Sequence, residues 1–358
     1  MKSTAKLNQL GQSLWLDNIT RTMLGDGTLA GYIEELSVTG LTSNPTIFDK
    51  AISGGDAYDG QIGQLAGELD DAEAIFFQLA LADLRDATDL FKGVHERTAG
   101  VDGFCSHEVS PKLADDTEAT IAQAAKLHGE AGRENLFIKI PGTEAGLAAI
   151  EETIYAGIPV NVTLLFDREQ YLAAADAYLK GIERRVEAGL DPEIASVASI
   201  FMSRWDVAVA DEVPDELRDR LGLAVGFRAY AAYRELLDSA RMQRLMNQGA
   251  RPQRLLWAST GTKDPDASDT LYIEGFAAPF TVNTMPEPTL KAFADHGEVG
   301  EPVPADGGDC EDVLGRFEAA GIDVAALAAR LQEEGKVAFV ESWEELLKSI
   351  SAQLGTRA

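Results

Sequence analysis

The chain has 358 residues, 45% hydrophobic and 25% charged, with a mean hydropathy of −0.10; this is the balance of an ordinary folded domain and not of a disordered or membrane-embedded chain. Lysine and arginine number 31 against 59 aspartate and glutamate, for a formal net charge of −28 and a pI near 4.4, which argues against nucleic acid or an anionic membrane as a partner of the bulk surface. A small anion held in a locally basic pocket stays open, because screening limits the reach of surface charge to about 8 Å at physiological salt.

Residues 13–18 (SLWLDN) read as a short strand whose apolar run ends in an acid, 28–36 as a helix, 40–45 (GLTSNP) as a second strand, and 45–52 as the start of the next helix. Over 69–93, Ile75, Leu79, Ala82 and Leu90 fall at helical spacing. Strand three, 103–109 (GFCSHEV), leads into a helix over 115–128, and strand four, 135–143 (NLFIKIPGT), is almost wholly apolar. A helix over 147–157, strand five at 159–166 (PVNVTLLF), a helix over 168–188 ended by Gly189, and strand six at 195–201 (ASVASIF) follow. A helix over 221–245, strand seven at 254–260 (RLLWAST) and strand eight at 280–285 (FTVNTM) complete the alternation.

Eight strands alternating with helices predict parallel pairing and closure into an α/β (β/α)8 TIM barrel. One domain is expected over 1–358, with the barrel at about 7–300. Residues 302–309 read as a linker, and helices at about 308–356, including 324–334 and 343–354, as a C-terminal helical appendage packed on the barrel. The opening MKSTAKLNQLGQS lacks an apolar signal core, and Cys105 and Cys310 stand in no metal or redox spacing. A cytoplasmic protein without a disulfide is expected, and so acidic a chain also suits a salt-tolerant source.

Strand four carries one ionisable side chain. Alternation puts Phe137, Lys139 and Pro141 on one face and Leu136, Ile138 and Ile140 on the other. Lysine is rarely buried, and an amine in apolar surroundings gives up its proton more readily, which leaves a nucleophile able to form a Schiff base with a carbonyl. The plainer alternative is a lysine whose ammonium reaches water or a carboxylate.

The other strands repeat the pattern. Asp17 shares a face with Trp15, Asn44 with Thr42, Glu108 with Ser106, Asn161 with Thr163, Ser199 with Phe201, and Ser259 with Trp257, while Val160, Val162 and Leu164 take the opposite face of strand five. If the aliphatic face meets the helices, these polar residues point inward and converge with Lys139 at the C-terminal mouth, where barrel enzymes keep their active sites. Singly, each could cap a helix or bond to backbone. Together they favour an amine nucleophile with acid and base partners. His107 falls on the helix-facing side, and His95, His128 and His296 lie in no ligand spacing, so no metal is expected.

With these residues placed, the chain closely resembles transaldolase, of the longer bacterial type, from Leu7 to about Leu290. The resemblance is carried by LWLD around Asp17, LTSNPT around Asn44, HEVS around Glu108, FIKIPGT around Lys139, NVTLLF around Asn161 and Thr163, ASIFMSR from Ser199 to Arg204, and LWASTGTK and TVNTMP further on. It implies transfer of a dihydroxyacetone unit from sedoheptulose 7-phosphate to glyceraldehyde 3-phosphate, giving erythrose 4-phosphate and fructose 6-phosphate, in the non-oxidative pentose phosphate pathway. No cofactor is implied. Sugar phosphates are the expected partners, and a homodimer is one assembly among those the family uses.

By the same resemblance Lys139 is the Schiff-base lysine, Glu108 an acid/base acting through a water that Thr163 helps hold, and Asp17 the group exchanging the proton of the hydroxyl at the bond cleaved. Asn44, Asn161 and Ser199 position the dihydroxyacetone unit, and Arg204 binds the phosphate. Where other transaldolases have a second arginine after the strand-seven serine, Thr260 and Gly261 follow Ser259 here and the next cation is Lys263, which supplies charge without a bidentate fork. A class I aldolase releasing free dihydroxyacetone would use the same lysine.

Overall fold

A computed structural model describes residues 1–69 and 71–355. Eight parallel strands, β1 (Ser13–Asp17), β2 (Val38–Thr42), β3 (Cys105–Glu108), β4 (Leu136–Pro141), β5 (Val160–Leu165), β6 (Ser196–Phe201), β7 (Arg254–Ala258) and β8 (Val282–Met285), pair in sequence order, and β8 returns to β1. Helices separate each strand from the next. This is the (β/α)8 barrel that the sequence rhythm predicts, with a C-terminal helix added.

Alternation along the strands divides the apolar residues into two clusters. Leu14, Leu16, Ile138, Ile140, Val160, Val162 and Ile200 pack with the surrounding helices, while Trp15, Phe137, Val197, Leu256 and Val282 fill the barrel interior. The interior plug is aromatic: Phe104 stacks on Phe137 at 4.1 Å, and Trp15 lies 6.0 Å from Phe137. The Trp15 indole donates to Asp102 at 2.8 Å. Gly40 on β2 makes room for it, because a Cβ there would fall 2.5 Å from the indole. This aromatic packing fills the barrel interior below the C-terminal ends, where barrel enzymes keep their active sites.

Several boundaries differ from expectation for identifiable reasons. Strand β2 ends at Thr42 because Asn44 turns to cap the helix Pro45–Ser53, accepting from the Ile47 amide at 3.0 Å, and Pro45 has no N–H for a ladder. The helix expected over 69–93 is Ala72–Arg97, capped by Asp71; Asp70 lies outside the described residues. The helix expected over 221–245 is two, Leu221–Asp238 and Ala240–Asn247, divided at Ser239, whose extended backbone and hydroxyl cap the second.

Two parity expectations fail. Leu164 has φ of 59° beside an irregularity in the β5–β6 register, so it leaves the helix-facing side and joins the interior cluster with Phe166 and Phe201. Trp257 points outward, stacked on Phe276 at 4.5 Å, and so does not share a face with an inward Ser259. At Ser259 the backbone turns to φ of 55°, and its hydroxyl pairs with that of Ser203 at 2.8 Å.

The largest difference lies at the C-terminus. The helices expected over 324–334 and 343–354 are one continuous helix, Val324–Gly355, which lies across the C-terminal ends of the strands. Its Trp343 is buried between Phe76 and Phe77, with ring centroids 5.0 and 5.5 Å away, and Leu346 and Ile350 continue the same buried stripe. Burying an indole removes on the order of 150–250 Å² from water, enough to hold that half of the helix down.

Candidate active site

The register places the central groups side by side. Glu108 on β3 is aligned with Lys139 on β4, and Lys139 with Asn161 on β5. Lys139 Nζ lies 3.2 Å from Glu108 Oε2 and donates to the Ser43 carbonyl at 3.4 Å. Both ionisable side chains are 7% exposed. Of the two readings strand four allows, an amine in apolar surroundings or an ammonium reaching a carboxylate, the geometry combines both: the side chain is buried and meets Glu108. A buried ammonium without a partner would be costly, and Glu108 offsets that desolvation while offering a place for the proton to go.

Two carboxyls flank the amine. Burial pushes Glu108 above the usual carboxylate range, against the opposing pull of Lys139. Asp17, at the end of β1, is likewise raised by burial and drawn back by Lys139, by a hydrogen bond from Thr42 Oγ1 at 2.7 Å, and by Lys263. Thr42 also meets Thr284 of β8 at 2.6 Å, which fixes the Thr42 hydroxyl beside Asp17. Carboxyls raised in this way suit proton exchange nearer neutral pH than free acids would.

The amide and hydroxyls form a second group. Asn161 Nδ2 donates to Ser106 Oγ at 3.0 Å, and its Oδ1 accepts from Ser199 Oγ at 2.7 Å, a chain crossing β3, β5 and β6 inside the barrel. Thr163, aligned with Pro141 two residues beyond Lys139, is fully buried and its Oγ1 has no partner among the described residues. Asn44 is half-buried with its oxygen committed to the helix cap, and its amide N–H groups, which donate to no side chain or carbonyl among the described residues, can act as donors.

Arg204 lies just past β6 in the short helix Ser203–Val209, with its guanidinium carbon 5.1 Å from the Phe201 ring centroid. Among the described residues it makes no ion pair, and burial lowers its pKa from the ordinary arginine value. Asp206, the neighbour that could have paired with it, accepts instead from the amides of Leu221 and Gly222 and from the Tyr272 hydroxyl, with burial pushing it up to about 6. Lys263 is exposed and also without an ion pair among the described residues. It lines a cavity with Ser203, Asp206, Asp219 and Asp264, acidic company for an anion site.

The expected inward group is therefore found at one end of the barrel, with Ser259 arriving by a backbone turn and Lys263 displaced toward acids. Sequence reasoning missed Ser43, Thr284, and the C-terminal helix residues Gln332 and Phe339. Parity could have shown Thr284 beside Thr42; nothing local in the sequence marks where Phe339 lands. His107 is buried against Phe76 and Phe77 on the helix-facing side, its pKa lowered to about 3 by burial. Among the described residues no cluster of histidine, cysteine or acidic side chains could hold a metal ion, and no helix is long and apolar enough to cross a membrane.

A family model described as Transaldolase/Fructose-6-phosphate aldolase matches residues 14–350. A protein named transaldolase from Thermobifida fusca is 46% identical, the match covering 98% of this chain and 97% of the relative. The same identity and coverage hold for a transaldolase from Mycolicibacterium paratuberculosis. One from Parafrankia sp. is 44% identical over 100% of this chain and 99% of its own.

Proposed function

Since the chain belongs to the transaldolase/fructose-6-phosphate aldolase family and is a transferase of the pentose phosphate pathway, we propose that it moves a dihydroxyacetone unit between sugar phosphates through a Schiff base on Lys139. The observation that carries this reading is a buried amine 3.2 Å from one raised carboxyl and electrostatically coupled to another across the same barrel mouth.

Glu108 accepts a proton from Lys139, and the neutral amine attacks the ketone carbon of fructose 6-phosphate or sedoheptulose 7-phosphate. The carbinolamine loses its hydroxyl as water when Glu108 returns a proton, through a water for which the orphaned Thr163 hydroxyl offers a hydrogen-bonding site. Asp17 then takes the proton of the hydroxyl carried by the departing carbon of the bond to be broken, so that this carbon leaves as an aldehyde. That bond cleaves, its electron pair enters the iminium to give an enamine, and an aldose phosphate leaves. The enamine attacks the acceptor aldehyde, Asp17 returns the proton, and water releases the new ketose. Asn44, Asn161 and Ser199 hold the hydroxyls of the three-carbon unit.

The acceptor decides between transfer and simple cleavage. With fructose 6-phosphate as donor, product formation should require erythrose 4-phosphate; equal turnover without it would make the protein an aldolase and end the transferase reading.

Arg204 holds the phosphate, a role supported by a half-buried guanidinium at the mouth that makes no ion pair among the described residues, Glu334 acting on it only at longer range, with Ser259 and Lys263 adding less. Arg204→Ala is expected to raise KM for fructose 6-phosphate by about 10- to 150-fold, the equivalent of a charge-assisted hydrogen bond of roughly 1.5–3 kcal/mol. The weak reaction with unphosphorylated fructose should hardly change. Equal impairment of both donors would show the arginine to be structural.

A further inference from the structure

Three observations tie the C-terminal helix Val324–Gly355 to the reacting amine. Gln332 Nε2 donates to the carbonyls of Gly142 at 3.2 Å and Leu164 at 2.9 Å, seating the helix on the ends of β4 and β5 beside Lys139 and Thr163. Gly335 lets it lie that low, because a Cβ would fall 2.9 Å from the Leu164 side chain and 3.3 Å from Arg204. One turn further on, the Phe339 ring centroid stands 5.5 Å from Lys139 Nζ, and the ring lies nearly parallel to Phe201 at 6.4 Å. Beyond it Ser342 bonds to Thr46 in the helix after β2, and before it Lys336 bridges to Asp115 after β3 at 3.1 Å, so contacts with β5 and with segments following β2, β3 and β4 hold this stretch of helix in place.

We propose that Phe339 is a specificity-determining residue for the transfer reaction: an apolar wall, supplied from outside the barrel, that keeps water from the three-carbon intermediate on Lys139. The inference rests on the Schiff-base reading above. After the aldose phosphate leaves, the enamine has two fates. It can form a carbon–carbon bond with an acceptor aldehyde, or it can take a proton on carbon to become an iminium. In the second case water adds to the iminium carbon, the carbon–nitrogen bond breaks, the water oxygen becomes the ketone oxygen of free dihydroxyacetone, and Lys139 leaves as the ammonium. Only the second route needs water before the acceptor arrives, so an apolar ring over the amine favours transfer. The half-buried ring stands over the reacting nitrogen, a position that support of the fold alone does not require.

The test uses the full-length protein with fructose 6-phosphate and saturating erythrose 4-phosphate, measuring free dihydroxyacetone against sedoheptulose 7-phosphate. Phe339→Ala is expected to raise the ratio of release to transfer by about tenfold, and Phe339→Gln, which keeps length but admits water, by a similar factor. Phe339→Leu, which keeps an apolar wall, should stay within about twofold of the unaltered protein. A thermal unfolding scan establishes that each variant is folded. A ratio unmoved in the folded Ala or Gln variant, whatever happens to the overall rate, overturns the proposal. Borohydride trapping separates the two layers: if the unaltered protein is labelled on Lys139 and the ratio does not move, only the role of Phe339 fails. If Lys139 is never labelled, the Schiff-base reading fails first.

Discussion

Lys139→Ala is expected to lower kcat by about 10⁴-fold or more, since it removes the nucleophile rather than one of several supports. Lys139→Arg should be equally inactive. It keeps a positive charge beside Glu108, but a guanidinium does not give up its proton in proteins and cannot form the carbinolamine. The pair of variants separates two explanations that the 3.2 Å contact alone leaves together. If the lysine serves only to neutralise Glu108, the arginine variant retains substantial activity; if it is the nucleophile, both lose it. Thermal unfolding is the control, because removing one member of a buried pair leaves the other without its partner and is itself destabilising.

Glu108→Gln and Asp17→Asn should each lower kcat by about 10²- to 10⁴-fold with smaller changes in KM, the usual contribution of a positioned acid or base. They should fail at different steps. Without Glu108 the carbinolamine cannot lose water efficiently, so borohydride trapping slows. Without Asp17 the Schiff base still forms but is not cleaved, and it accumulates. Burial raises both carboxyls, so their ionised forms are lost on acidification at a higher pH than free acids would require. The kcat profile should accordingly fall on an acid limb above the ordinary carboxylate range, and Asp17→Asn should lose Asp17's share of it. Trapping at the unaltered rate in both variants would remove Glu108 from the dehydration step.

Much of this site was legible because side-chain alternation is a local property. Asp17, Glu108, Lys139, Asn161 and Ser199 sit on strands regular enough for counting by twos to give their direction. The count failed where the backbone takes positive φ, at Leu164 and Ser259, since neither residue type signals a left-handed turn. For Asn44 the capping alternative open to each polar residue is the one its oxygen takes, as Asn before proline, a strong cap signal, suggests. The C-terminal helix was the least legible part. The gap between the two expected helices begins at Gly335, a residue that costs about 1 kcal/mol in a helix interior, yet the helix continues because that glycine is where it touches Leu164 and Arg204. Where Phe339 comes to rest is decided by Trp343, Gln332 and Lys336 finding partners more than a hundred residues away in sequence. No local pattern encodes those distances.

The central claim is a covalent bond between substrate and one amine, and reduction makes that bond permanent. The protein incubated with fructose 6-phosphate and sodium borohydride, digested and analysed by mass spectrometry, should carry the reduced three-carbon or six-carbon adduct on Lys139 and lose activity in step with labelling. An adduct on another lysine, or labelling that persists in Lys139→Ala, would contradict it.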